Sequence, residues 1–231
     1  MTADNKPKNQ PTSTRLSPRA HEHNPMLRPA RMTRVHAVLT AGIACWIAGG
    51  CGGPSGQFYV VQNQVAGSGC IIPSGKSALY QGEGILDVRV PATSDAAYLL
   101  FPLLQNDLPS ESESGVEPNR IAVAGFEVDV RFVDGPMAVQ DLFAAIAADP
   151  SAAALVRYQT AWSGSIDPGG GTISAVTNAF PAETARRLRD SNVLSDGASA
   201  RVNALVRGVG NKLGGRIKSD VFTYPIRVCD G

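Results

Sequence analysis

The residues able to do chemistry are few, and their spacing narrows what that chemistry is. The three histidines, His21, His23 and His36, all lie near the start. From Ala37 onward no imidazole is present to serve as a general base near neutral pH, to complete a Ser-His-Asp or Cys-His pair, or to ligate zinc. A lysine-activated serine is absent too, because Lys76, Lys212 and Lys218 have no serine three residues before them. Pro73-Ser74-Gly75-Lys76-Ser77 ends like a phosphate loop, but that motif needs glycine where Cys70 stands. Carboxylates, glycines, aromatics and cysteines remain.

Asp107, Glu111, Glu113 and Glu117 share one short stretch. Four carboxylates on a loop are the oxygen ligands calcium takes, and they are the weak metal candidates here. They lack the spacing and turn of a calcium loop, so the stretch reads as a solvated loop with no metal. Glu127 and Asp129 stand two apart in an alternating segment, hence on one strand face. Paired carboxylates can hydrolyse glycosides when set across a cleft, and they can equally keep a sheet face wet. Asp167-Pro-Gly-Gly-Gly171 could form a nest of backbone N–H groups for an anion, or a plain turn. Tyr158 and Trp162 share a strand face, where they could stack on a sugar or join the core. No cofactor is implied.

The elements that must position these residues are mostly strands. Only 6% of residues are aromatic, and Gly and Pro together number 40, a mix suited to turns and short strands. Strand patterns run over Gly56–Val65, Ile85–Pro91 and Ala97–Leu104, where Pro102 implies an edge or a bulge. Arg120–Val133 alternates most clearly, with a phase shift at Ala124-Gly125 that predicts a bulge. Ala154–Trp162 and Thr172–Ala179 read as strands joined by the glycine turn. Ala200–Val206 and Arg216–Val228 read as a terminal hairpin across the glycine-rich Gly208–Gly215 connection. Met137–Ala148 carries Val139, Leu142, Phe143 and Ile146 at helical spacing, and Pro181–Arg189 is a second short helix. Roughly eight strands with one or two short helices in loops predict an antiparallel β-sandwich, Ig-like or similar.

The first fifty residues have a different character. Residues 1–31 are polar, basic and proline-rich, and cannot bury enough surface to fold. They read as a disordered extension or as a misassigned start, with Met26 or Met32 as the true one. Arg28, Arg31 and Arg34 then precede a 14-residue apolar run, Ala37–Gly50. A membrane span needs about 18 apolar residues. A basic stretch before a shorter run is a secretory signal, placed here at residues 32–50.

The end of that run, Ile47-Ala48-Gly49-Gly50-Cys51, followed by Gly52-Gly53-Pro54-Ser55-Gly56, resembles the lipobox of bacterial lipoprotein precursors. Ala48 departs from the leucine usual there, and Cys45 makes a poorer match because bulky Ile43 precedes it and no tether follows. The resemblance implies that Cys51 receives a diacylglyceryl thioether, that the chain is cut before it, and that the new amine is acylated. Residues 51–56 would then be a lipid-anchored tether and 57–231 a single domain. Gly52, in place of Asp, implies sorting to the outer membrane, on either of its sides. The FYVVQNQ segment, Cys70-Ile-Ile-Pro, YLLFPLLQND and the terminal Phe222–Cys229 segment resemble envelope lipoproteins of high-GC Gram-negative bacteria, a group that carries no activity over.

Processing would also change the electrostatics. Cys51–Gly231 holds 14 Lys and Arg against 18 Asp and Glu, net −4, whereas the full chain is +1. Arg186, Arg187 and Arg189 read as the polar face of a short helix, and nucleic acid is not an expected partner. The expected partners are the membrane, through the anchor, and an envelope protein or glycan. In an oxidising compartment Cys70 and Cys229 read as a disulfide stapling the domain's ends, worth up to ~5 kcal/mol in the chain-entropy model. The expected role is non-catalytic binding or structure. The alternatives are a carboxylate-dependent glycan hydrolase and a calcium-dependent adhesion module.

Overall fold

The computed structural model describes residues 56–66, 71–73, 75–76, 79–89, 97–111, 115–195 and 197–231. The expectations for residues 1–55, Cys51, Cys70 and Glu113 lie outside these. The fold is mainly β, as the alternation predicts. Its spine is a pair of 14-residue antiparallel strands, β5 (Ile121–Asp134) and β9 (Ser199–Lys212). Val128 and Val130 of β5, with Val202, Ala204 and Val206 of β9, are buried, while the residues between them face outward. Period-two burial of this kind puts one sheet face on a core and leaves the other wet. The predicted phase shift is real. The register slips between Val123 and Gly125 in both ladders of β5, and Gly125 takes a φ of +150°.

The large sheet has the order β2-β11-β9-β5-β6, with β2 at Gly84–Asp87, β6 at Arg157–Ile166 and β11 at Phe222–Cys229. Only the β2–β11 pairing is parallel among those described. The terminal hairpin forms differently from expectation. Gly208–Lys212 is not a connection but the second half of β9. A short β10 (Gly215–Lys218) pairs with that half, and β11 pairs with the first half along the same flank. Buried Ser219 fills the gap between them: Gly208 N–H donates to its Oγ (2.8 Å) and its own N–H donates to Gly208 O (2.9 Å). The glycines serve close packing here. A Cβ on Gly208 would lie 3.1 Å from Leu104 and 3.2 Å from Phe58, and one on Gly210 would lie 2.7 Å from Ala122 O.

Leu104 and Phe58 belong to the second layer. There β1 (Phe58–Asn63), β4 (Pro102–Asn106) and β7 (Gly171–Ser174) form one small sheet, and β3 (Tyr98–Leu100) with β8 (Thr177–Phe180) forms another. The apolar run at 97–104 is thus two strands. Pro102 lacks the N–H to carry a ladder through. Asn63 Oδ1 accepts the Phe101 N–H instead, at 2.8 Å. The glycine turn does not close a hairpin either: β7 leaves β6 and pairs with β4, crossing to the other layer.

Both helices form as predicted. In α1 (Met137–Ala148) Val139, Phe143 and Ile146 are buried, and Phe143 meets Phe132 and Phe180 with ring centroids 6.5 and 6.4 Å apart. Burying each such ring contributes roughly 1.5–3 kcal/mol. In α2 (Ala182–Asp190) Pro181 is the cap residue, and Thr184 Oγ1 donates to Leu155 O at 2.7 Å.

Candidate functional site

The acidic loop does not assemble a metal site among the described residues. Its carboxylates are spent on local structure. Glu117 accepts from Ser110 Oγ (2.7 Å), Asn119 N–H (3.0 Å) and Glu111 N–H (3.2 Å). Asp107 accepts from Gln105 Nε2 (2.5 Å) and Tyr59 OH (2.7 Å). Glu111 is exposed, and Glu113 lies outside the described residues. Hydrogen bonds to the charged form hold both carboxyls below their ordinary range, from Ser110 first at Glu117 and from Gln105 first at Asp107. A depressed carboxyl contributes stability above its unfolded pKa and loses it as pH falls through the folded one. Melting temperature should therefore hold from neutral to mildly acidic pH and decline only below about pH 4. A carboxyl-carbon NMR titration placing both groups at ordinary values would contradict this.

What closes the loop is buried Asn106. Its Nδ2 donates to Asn119 O (2.8 Å) and Ile166 O (3.2 Å), and its Oδ1 accepts Leu108 N–H (3.1 Å). One side chain thereby ties β4, both ends of the loop and the end of β6. Asn106→Ala removes a buried partner from three backbone groups. It should cost about 2–4 kcal/mol in urea unfolding, given 1–3 kcal/mol for each orphaned group and partial rescue by water. A loss under about 1 kcal/mol would mean that water replaces the amide fully.

The remaining motifs resolve into structure. Gly169 N–H and Gly170 N–H donate to Leu108 O and Asn106 O, both at 2.8 Å, so the glycine nest is filled by the chain itself. Gln64 Nε2 donates to Pro73 O (3.0 Å) and Gly75 O (2.7 Å), pinning the remnant of the phosphate-loop motif as a surface turn. Tyr158 and Trp162 face inward. Tyr158 OH donates to Asn178 O at 3.0 Å, and Trp162 packs on Phe126, so neither offers a free ring for a sugar. Cys229 is a free thiol in this structure, and its expected partner, Cys70, lies outside the described residues. It ends β11 beside β2 and points at Leu86 O, 3.7 Å away. Burial first, then the Asp87 charge, pushes that thiol's pKa up.

The surface that sequence reasoning did not assemble is the outward face of the large sheet. Three carboxylates there each sit between two cations. Glu127 has Lys218 at 2.7 Å and Arg216 at 3.6 Å. Asp129 has Arg131 at 2.6 Å and Arg157 at 3.4 Å. Glu83 has Arg227 at 3.7 Å and Arg201 at 3.8 Å. Arg207 lies opposite Glu127 in the β5–β9 ladder, and its Nε is buried without a partner. Asp87 and Asp134 lie at the margins, turned to backbone N–H groups of Gly231, Arg89 and Gly135. Over the central strands, therefore, positive charge exceeds negative on a domain that is negative as a whole. A depression of about 400 Å³ opens in this face, lined by Glu127, Asp129, Arg157 and Arg207 among others. The alternating charges of each strand were legible. Their convergence was not, since it depends on which strands pair.

Taken together, the described residues form a mainly β two-layer domain with a charged outer sheet face and two short helices. No family model, curated protein or solved structure matches the chain.

Proposed function

We propose that this chain is the precursor of a bacterial envelope lipoprotein, anchored in the outer membrane through acylated Cys51, whose β domain has a binding or structural role rather than a catalytic one. The observation that carries the reading is the ordered run of basic residues, short apolar segment, Gly49-Gly50-Cys51 and glycine tether. One acyl chain holds a protein to a bilayer only marginally, whereas two or three anchor it stably. The partner is an envelope protein or glycan.

The two alternatives have less behind them. Glu127 and Asp129 are each held by cations on an open sheet face, which is poor ground for a hydrolase acid and its nucleophile. Glu117 is turned to its own loop's backbone and Asp107 to the Gln105 and Tyr59 side chains, which weakens the calcium reading.

Intact mass of the protein extracted from membranes tests the proposal. It should begin at Cys51 and carry acyl chains. A soluble, unmodified chain retaining residues 1–50 would refute it. Repeating the measurement after reduction reads the second part of the proposal, a Cys70–Cys229 bridge in the exported protein: each cysteine should then gain one hydrogen.

A further inference from the structure

We infer that the outward face of the large sheet docks on an anionic phospholipid surface, the membrane in which the proposed anchor sits. Half of the domain's cations lie on it. The pairs around Glu127, Asp129 and Glu83 leave each carboxylate outnumbered, and Arg207 adds a further charge. Surface ion pairs of this kind are weak, so the cations stay available to a second anion. Their side chains are also open: Arg131, Arg157, Arg216 and Arg201 are each more than half exposed.

The position of the chain's entry selects a lipid surface over a soluble anion. Gln57 and Phe58 line the same depression as Arg216 and Lys218, with Asp220 beside them. Five residues lie between Cys51 and Gln57, so the chain cannot carry an acylated Cys51 further than about 20 Å from that edge. The neighbouring β9–β10 turn presents Leu213, 67% exposed, between Lys212 and Arg216. An apolar tip between cations suits the boundary between headgroups and acyl chains. Glu111 and Glu117 of the acidic loop approach this end through the Leu213 N–H to Pro118 O bond, so the sheet face, rather than the tip alone, supplies the surplus charge. This inference rests on the lipoprotein reading for its geometry, but its test does not need the lipid.

The test uses the full chain carrying Cys51→Ser, sedimented with phosphatidylcholine vesicles with or without phosphatidylglycerol. The doubles Arg216→Gln/Lys218→Gln and Arg201→Gln/Arg227→Gln should each weaken binding to the anionic vesicles at least tenfold, at about fivefold per cation. Neither should change binding to phosphatidylcholine alone, where the apolar run 37–50 acts equally in every variant. Arg186→Gln/Arg189→Gln on α2 removes the same charge elsewhere and should bind like the parent. Arg201→Lys/Arg227→Lys keeps the charge and should retain binding, which separates recognition from misfolding. Doubles that bind like the parent, or an α2 variant that loses as much, would overturn the inference. A chain found acylated at Cys51 whose face variants still bind normally would sink the docking and leave the anchor standing. Face-dependent binding by a chain found unacylated would do the reverse.

Discussion

Gly125→Val is expected to lower stability by about 3–5 kcal/mol and melting temperature by about 10–15 °C. Gly125 sits at the bulge of β5, between β6 and β9, and both ladders shift register there. Its φ of +150° is one that residues with a side chain avoid. A Cβ would also be driven into the carbonyl of Thr160 and to 3.3 Å from the Ala161 Cα. Both obstacles are backbone of a paired strand, so neither can swing aside. Strained backbone costs about 1–3 kcal/mol and overpacking about as much again. For a domain of this size each kcal/mol moves the melting point roughly 2–4 °C. Gly214→Ala is the comparison: its φ is +97°, but nothing lies within 4 Å of the added carbon. It should cost about 1–2 kcal/mol from conformation alone. Equal melting points for the two variants would show that the bulge relaxes and that the close approach does not matter.

Cys51→Ser should abolish acyl incorporation completely and leave the segment ahead of it attached. The proposed anchor is a thioether, and a serine hydroxyl, far less acidic than a thiol, cannot substitute as the nucleophile. Two or more chains at ~0.8 kcal/mol per buried CH₂ exceed any electrostatic docking, so the loss should be seen as a change from detergent-dependent to salt-sensitive membrane extraction. Cys45→Ser, six residues earlier in the apolar run, should label and process normally. The readout is a fatty-acid label together with intact mass. Label retained in Cys51→Ser, or lost in Cys45→Ser, would move the anchor or remove it.

Much of the fold could be read from the chain alone, because the relevant patterns are local. Side chains alternate along a strand and repeat near every 3.6 residues along a helix whatever they pack on. β5, α1 and α2 could therefore be placed within a residue or so, and the bulge at Ala124-Gly125 could be seen as a lost beat. The errors share a cause. Gly208–Gly215 reads as a connection by composition, yet Gly208 and Gly210 are where the core strand β9 needs room for Phe58, Leu104 and Ala122. Thr172–Ala179 reads as the return of a hairpin, yet it pairs with β4 and β3 in the other layer. Nothing within either segment records its neighbour.

The same division holds for the site. The absence of histidine after position 36, the cysteine positions, and the basic–apolar–small–Cys51 order are properties of sequence, and they bound the chemistry and motivate the proposed anchor without any tertiary contact. The charged face is a property of pairing. Arg131, Arg157, Arg201, Arg216, Lys218 and Arg227 come from five strands spread over nearly a hundred positions. They meet because bulge, register and the succession of β10 and β11 along β9 bring outward positions into line. Strand register is decided by burial of the opposite face. The apolar residues facing Phe58 and Leu104 thus determine where the cations stand, and only the folded sheet shows it.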